Sequence, residues 1–185
     1  MSKIKFLEKT KKKNRIYKGK AINFRVDEII LPNKKSATRE FMEHPGAVAI
    51  LAIDKDRKII FVKQYRYPVG KETYEIPAGK LNGKNDNYLR RALAELKEET
   101  GYIPKKIKPL VEFWPTPAFS DEILKIYLAK DLTPGKDNPD EDEFIKTEKI
   151  SLSKALSLIK KGKIKDSKTI IAILYFHSFI KGELK

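Results

Sequence analysis

The chain has 185 residues, no cysteine and a formal net charge of +15. The absence of cysteine excludes a disulfide framework, a thiolate metal site and a cysteine nucleophile. No stretch approaches the roughly 20 apolar residues that a membrane-spanning helix needs, and the basic N-terminus lacks the apolar run of a signal peptide. We therefore expect a cytoplasmic protein with one domain of ordinary size and a small appendage.

The excess of positive charge allows two interpretations. Many of the lysines are scattered in short pairs, a pattern typical of a solvated surface. The same charge also attracts anionic partners such as a nucleotide, a phosphosugar or nucleic acid. Basic and aromatic residues interleave in KQYRYP but form no larger platform. We therefore predict neither a specific nucleic-acid partner nor a membrane partner.

The first half of the chain is predicted to be rich in strands. Roughly residues 14–32 alternate apolar and polar side chains, as a strand does, and LPNKKSA follows as a hairpin-type loop. The apolar, β-branched runs AVAILAID and KIIFVKQY are joined by the turn DKDR, which predicts a hairpin of buried strands. ETYEIPAG predicts one shorter strand that ends at Pro77 and Gly79.

The second half adds further strands and closes with helices. KIKPLVEFW, EILKIYLAKD and EFIKTEKI predict three strands. SLSKALSLIKKG predicts a helix with a serine N-cap and Gly162 as its stop, and SKTIIAILYFHSFIKG predicts a second helix. The order of elements gives an α+β fold class.

Between these halves, NDNYLRRALAELKEETGY predicts a helix. Asp86 or Asn87 suits its N-cap, and Gly101 suits the left-handed position after its last turn. At about 100° per residue, one side of the helix carries leucines, which we expect to anchor it to a core. The leucines are Leu89, Leu93 and Leu96, and the opposite side carries Glu95, Glu98 and Glu99.

The three glutamates lie one turn apart, where like charges repel by a few tenths of a kcal/mol per pair. A solvated acidic face is the ordinary interpretation of such a cluster. In a basic protein, a bound Mg²⁺ or Mn²⁺ is the alternative, because a hard divalent cation prefers oxygen ligands and neutralises the repulsion. Since Mg²⁺ commonly bridges to substrate phosphates, the helix points to metal-assisted phosphate chemistry.

The helix and its lead-in resemble the Nudix box, G-x5-E-x7-R-E-U-x-E-E-x-G-U, in which U is a bulky apolar residue. The matching positions are Gly79, Glu95, Leu96, Glu98, Glu99, Gly101 and Tyr102. The segments HPGAVAILA, QYRYPV, YEIPAGK, FSDE and DEDEFI resemble the ADP-ribose pyrophosphatase branch of the family. The resemblance covers roughly residues 14–180.

This resemblance implies a Nudix-type α/β/α sandwich around a mixed β-sheet, and a homodimer. A small N-terminal β-domain at 1–44 is implied to serve dimerisation and nucleotide contacts, with the Nudix hydrolase domain at 45–185. The implied reaction is divalent-metal-dependent hydrolysis of the pyrophosphate of ADP-ribose, a small-molecule substrate, to AMP and ribose 5-phosphate. The alternatives are GDP-mannose or another sugar nucleotide as substrate, a non-catalytic nucleotide-binding module, and an RNA-processing Nudix protein.

The family's functional residues carry over to matching positions. Glu95 and Glu99 are implied as the main Mg²⁺ or Mn²⁺ ligands, with Glu98 as an additional ligand that also serves catalysis. The backbone carbonyl of Ala78 is implied to complete the set. The implied general base lies in the DEDEF loop and is Glu143, with Glu141 as the alternative. The implied substrate-binding residues are Arg66 and Glu75, together with Arg39 and Glu40 in a segment that reaches the nucleotide across the dimer.

Three positions depart from the family pattern. One extra residue precedes the helix, so Asp86 falls at the first acidic position, which is usually peripheral to the metal. Ala118 stands where glycine is common in the branch. Ala94 replaces the usual arginine one turn before Glu98, and Arg91 is positioned to supply a displaced cation. We therefore predict a retuned rather than an abolished activity.

Overall fold

The computed structural model describes residues 6–20, 22–136, 144–180 and 182. The chain forms two compact units, one of Met1–Gly46 with Thr116–Glu122 and one of Ala47–Pro115 with Ile123–Lys185. The predicted functional division into 1–44 and 45–185 stays a prediction. In the described part of the chain, no helix is long and apolar enough to cross a membrane.

The first unit contains an antiparallel sheet centred on β3. Its strands are β1 (Lys9–Lys12), β2 (Arg15–Lys18), β3 (Asn23–Ile30) and β4 (Ser36–Glu43). β3 pairs with β4 along one edge and with β1 and β2 along the other. The predicted loop LPNKKSA is confirmed as the β3–β4 turn, where the Leu31 N–H donates to the Lys35 carbonyl at 2.9 Å.

The second unit contains two sheets and three helices. A four-stranded sheet has the order β8-β5-β10-β9, in which the β5–β10 pair is parallel and the other pairs are antiparallel. A three-stranded antiparallel sheet has the order β11-β6-β7. The strands are β5 (Ala47–Ala52), β6 (Lys58–Arg66), β7 (Lys71–Glu75), β8 (Ala78–Lys80), β9 (Tyr102–Phe113), β10 (Leu124–Pro134) and β11 (Lys146–Ser151).

The helices cover both faces of the four-stranded sheet. They are α1 (Tyr88–Thr100), α2 (Leu152–Lys160) and α3 (Ser167–Tyr175), which continues as a π-helical turn over Phe176–Ile180. Because successive strand side chains point to opposite faces, Val48 and Ile50 of β5 pack in one core with Leu96 of α1. Ala49 and Leu51 pack in the other core, with residues of α2 and α3. These layers confirm the predicted α/β/α sandwich around a mixed sheet.

The predicted hairpin of AVAILAID and KIIFVKQY is wrong in its pairing. Both runs are buried strands, and the turn between them closes with the Asp54 N–H donating to the Lys58 carbonyl at 2.9 Å. Beyond a single bridge between Ile53 and Ile59, however, β5 and β6 join different sheets. A continuous apolar run indicates burial on both faces but carries no information about which strand lies beside it.

The segment ETYEIPAG forms two strands rather than the single strand that was predicted. β7 ends at Glu75 and β8 begins at Ala78, because Pro77 has no N–H for a ladder. The backbone groups at the break find other partners. The Ile76 N–H donates to the Thr169 hydroxyl at 2.9 Å, and the Pro77 carbonyl accepts from Ile50 N at 2.8 Å.

Candidate functional site

Local signals fix both ends of the helix that carries the three glutamates. The Asn87 side chain caps α1 by accepting the Arg90 N–H at 2.9 Å, and Gly101 ends the helix at a φ of 72°. Asp86 stabilises the lead-in loop. Its hydrogen bond from the Arg90 side chain, together with the N–H groups of Asn82 and Asn87, lowers the pKa of Asp86 to about 2. Asp86 is therefore occupied in holding the loop.

The buried face of α1 differs from the predicted leucine face. Ala92, Glu95, Leu96 and Glu99 are its buried residues, whereas Leu89 is 42% exposed. These four positions follow the i, i+3, i+4, i+7 spacing of one helix face. The prediction is confirmed for Leu96, which is buried, and wrong for Leu89, because hydrophobicity alone places charged residues outside and this helix turns two carboxylates inward.

Glu95 and Glu99 pack against the backbone of Ala78 and Gly79. They are only 6% and 5% exposed. A Cβ added at Gly79 would lie 1.5 Å from Glu95 Oε1, so a side chain at this position would displace the carboxylate. The Glu99 Oε2 atom accepts the Ala78 N–H at 3.2 Å. Glycine at position 79 therefore allows the backbone to approach the helix closely enough to cradle both carboxylates.

Arg91 supplies the cation that Ala94 does not. Its Nη2 atom forms an ion pair with Glu95 Oε1, and its Nη1 atom lies 3.7 Å from Glu98 Oε2. Arg91 is four residues before Glu95, a spacing that places the two side chains on one helix face. Among the described residues, the buried Nε of Arg91 has no hydrogen-bond partner. The arginine beside these glutamates thus lies three residues before position 94, where the family pattern has one.

The donor set has the chemistry of a hard-cation site, although the side chains do not converge on a single point. Glu95, Glu98, Glu99 and the Ala78 carbonyl offer only oxygen, as Mg²⁺ or Mn²⁺ prefers. In the described part of the chain, no group of three or more acidic, histidine or cysteine side chains is arranged to hold a metal ion. Because Arg91 pairs with Glu95, a cation that used Glu95 as a ligand would have to displace the guanidinium group.

Arg66 and Glu75 form a second charged centre. Arg66 Nε and Nη2 donate to the two oxygens of Glu75, each at 2.8 Å. Thr73 donates to the same carboxylate at 2.6 Å, and the ammonium group of Lys168 donates at 2.5 Å. Burial opposes ionisation of Glu75, but the Arg66 hydrogen bonds and the charge of Lys168 outweigh it and lower the pKa of Glu75 to about 2.

The two members of this pair differ in how open they are, and their predicted substrate-binding roles stay predictions. Glu75 is 3% exposed and both its oxygens are engaged within the protein, so it lies beneath Arg66 rather than open to a ligand. The Nε edge of Arg66 is bound to Glu75, and Nη1 lies outside this pair of hydrogen bonds. The hydrogen bond to Glu75 raises the pKa of Arg66, with smaller contributions from the charges of Asp166 and Glu99. Arg66 therefore lies within electrostatic reach of Glu99 on α1.

Lys168 and Asp166 were not predicted as site residues. Lys168 is buried and pairs with both Glu75 and Asp166, while Asp166 caps α3 by accepting the Thr169 N–H at 3.0 Å. The sequence DSKT at 166–169 carries a helix N-cap signal. That signal locates the start of α3 but does not indicate that Lys168 contacts a carboxylate 93 residues away.

Four further residues were predicted for the site. Arg39 and Glu40 lie exposed on β4 in the first unit, and Arg39 forms an ion pair with Glu8 of β1's lead-in, with Nε and Oε2 3.0 Å apart. Glu141 and Glu143, the alternative general bases, lie outside the described residues.

Comparison with known proteins gives consistent matches. Residues 42–172 match the NUDIX domain family. A methanol dehydrogenase activator from Bacillus methanolicus is 45% identical over 173 residues, which cover 92% of each chain. An ADP-ribose pyrophosphatase from Bacillus subtilis (strain 168) is 44% identical over 171 residues, or 91% of each chain. The crystal structure of an ADP compounds hydrolase has the same fold, with a TM-score of 0.85, 19% identity and 99% coverage of both chains.

Proposed function

Because the chain belongs to the Nudix family, we propose that it hydrolyses the pyrophosphate of ADP-ribose, or of a related nucleoside diphosphate sugar, with the aid of a divalent cation. The products from ADP-ribose are AMP and ribose 5-phosphate. The observation that carries the proposal is the burial of Glu95 and Glu99 against the Ala78–Gly79 backbone. Apolar packing gives no reason to bury two carboxylates on one face, whereas cation binding does.

Each group of site residues has its own role in the proposed reaction. Mg²⁺ or Mn²⁺ would be held by Glu95, Glu98, Glu99 and the Ala78 carbonyl, and when bound it would neutralise negative charge on the pyrophosphate. Arg66 binds a phosphate oxygen through Nη1, and Glu75 orients Arg66 through its Nε edge. Glu143, or Glu141 in its place, accepts the proton of the attacking water. Arg39 and Glu40 contact the nucleotide, and the active form is a homodimer.

Product analysis tests the proposal directly. The protein is incubated with ADP-ribose, GDP-mannose, NADH, diadenosine polyphosphate and capped RNA, with Mg²⁺ or Mn²⁺ present. We expect AMP to be released from ADP-ribose. Preferential cleavage of GDP-mannose would assign a different substrate to the same chemistry. Nucleotide binding without turnover under either metal, or a strong preference for capped RNA, would contradict the proposal.

A second candidate function follows from the relative named as a methanol dehydrogenase activator. In this second proposal, the chain interacts with a dehydrogenase and activates it. Adding the wild-type protein and its Glu99→Gln variant separately to a methanol dehydrogenase tests it. Activation by the wild-type protein alone would link this function to the hydrolytic site, and no activation by either would exclude it.

Replacing Arg91 by Ala is expected to destabilise the metal-free protein more than the metal-loaded protein. Without Arg91, the buried Glu95 loses one ion pair, which costs about 2 kcal/mol, or a fall in Tm of about 4–8 °C for a domain of this size. A cation bound to the glutamates replaces that lost charge. The rise in Tm on adding Mg²⁺ should therefore be larger in the variant than in the wild-type protein.

Arg90→Ala is the matched control. Arg90 is the neighbouring arginine of α1, is largely exposed and pairs with Asp86, so its loss should cost less than about 1 kcal/mol. The Mg²⁺-induced rise in Tm should stay at the wild-type value in this control.

The double variant Arg91→Ala, Ala94→Arg should recover much of the stability that Arg91→Ala loses. Ala94→Arg alone should change turnover by less than about fivefold. Equal losses with and without Mg²⁺ would show that Arg91 does not compete with the cation.

A further inference from the structure

A cavity of about 840 Å³ lies in the second unit between the β6–β7 hairpin and the α2–α3 connection. Lys63, Lys71 and Glu72 line it from the hairpin, and Lys163 and Lys165 line it from the connection. Arg66 and Glu75 of the hairpin, together with Asp166 and Lys168 at the start of α3, also line it. The volume is within the range of about 300–1,000 Å³ that small-molecule sites occupy.

The carboxylates of this cavity are already paired. Glu75 binds Arg66 and Lys168, and Asp166 binds Lys168. Glu72 binds Lys63, with Nζ and Oε2 2.6 Å apart. Each negative charge that faces the cavity therefore has a cation of its own, so none remains to neutralise the other lysines.

Three further lysines leave the cavity with an excess of positive charge. Lys71, Lys163 and Lys165 line its walls, and none forms an ion pair with a carboxylate of the described residues. The three lysines are exposed to solvent, and the potentials of ammonium groups that line one concave surface add together. A concave site of this charge attracts a compact, multiply charged anion, and phosphate offers oxygens to each ammonium group.

The cavity adjoins the proposed active site but differs from it. Arg66 belongs to both, since it lines the cavity and the charge of Glu99 on α1 contributes to raising its pKa. The pyrophosphate of the substrate is assigned to the glutamates and Arg66. The remaining end of ADP-ribose is an uncharged ribose, which gives the three lysines nothing to neutralise.

We propose that the cavity is an anion subsite in which Lys71, Lys163 and Lys165 bind a phosphate group distinct from the pyrophosphate that is cleaved. The location of the subsite next to Arg66 rests on the proposed function. The phosphate group that binds here has one of two origins. It is either a substituent on the non-nucleotide end of the substrate or a free phosphate that binds beside the active site.

Calorimetric titration with inorganic phosphate, in the absence of divalent ions, tests the subsite independently of hydrolysis. The double variant Lys163→Ala, Lys165→Ala removes two cavity charges and is expected to weaken phosphate binding about tenfold or more. The matched control is Lys160→Ala, Lys161→Ala, which removes two exposed lysines beside the same connection but outside the cavity. The control should bind within about twofold of wild type. Equal affinities in the two double variants would overturn the proposal.

Steady-state kinetics then distinguish the two sources of phosphate. The substrates compared are ADP-ribose and ADP-ribose that carries a phosphate on its terminal ribose. A preference in kcat/KM for the phosphorylated substrate of about tenfold, lost in the cavity variant and kept in the control, supports the substrate as source. Phosphate binding without that preference supports a free phosphate. Failure to hydrolyse either substrate would refute the proposed function, while the calorimetry would still decide the subsite.

Discussion

Glu99→Gln is expected to lower kcat for ADP-ribose about a thousandfold while leaving the protein folded. Glutamine has the shape of glutamate, and its carbonyl oxygen still accepts the Ala78 N–H that Glu99 accepts at 3.2 Å. What the substitution removes is one negative charge from a buried position that is 5% exposed. Losing a cation ligand in such a site forfeits several kcal/mol of transition-state stabilisation. AMP release measures the loss.

A second measurement separates lost cation binding from other causes. Calorimetric titration with Mn²⁺ should show binding to the wild-type protein and much weaker binding to Glu99→Gln. Glu112→Gln is the control, because Glu112 is an exposed residue of β9 that pairs with Lys125. It should retain wild-type turnover and wild-type Mn²⁺ affinity. Undiminished turnover of Glu99→Gln at saturating Mg²⁺ would refute the assignment of Glu99 as a ligand.

Glu75→Gln is expected to lower the free energy of unfolding by about 3 kcal/mol at neutral pH. The substitution leaves the buried ammonium group of Lys168 and one edge of Arg66 without their shared carboxylate. An unpaired buried charge costs several kcal/mol. Urea denaturation measures the loss. The control is Glu72→Gln on the same strand, whose carboxylate is mostly exposed and pairs with Lys63, so its effect should stay below about 1 kcal/mol.

The same substitution should change the dependence of stability on pH. The pKa of Glu75 falls from 4.5 to about 2 on folding. A lowered carboxyl pKa stabilises the folded state fully above the unfolded pKa, and this stabilisation is lost as pH falls through the folded pKa. The wild-type advantage over Glu75→Gln should therefore be constant above about pH 5 and shrink toward about pH 2. A difference that is unchanged at about pH 3 would show that the Glu75 charge is not its source.

The sequence by itself determined the helix of the proposed site and its ends. The N-cap at Asp86 or Asn87, the stop at Gly101, the spacing of Glu95, Glu98 and Glu99, and the position of Arg91 all depend on residues within a turn or two of each other. Such relations follow from the 3.6-residue period of a helix and need no knowledge of the rest of the chain. The strands after the helix and the α+β class followed in the same way, from period and order, whereas the α/β/α sandwich was implied by the resemblance to the Nudix family.

Only the tertiary structure decided which groups meet across the fold. In the folded chain, Glu95 and Glu99 face inward, β5 and β6 belong to different sheets, and Glu75 is buried beneath Arg66. Lys168 reaches Glu75 from 93 residues away, and the lysine cavity is lined by the hairpin on one side and the α2–α3 connection on the other. Local periodicity indicates which side chains share a face, but whether that face is buried and what it contacts are set by how the layers pack, and packing depends on the whole chain at once.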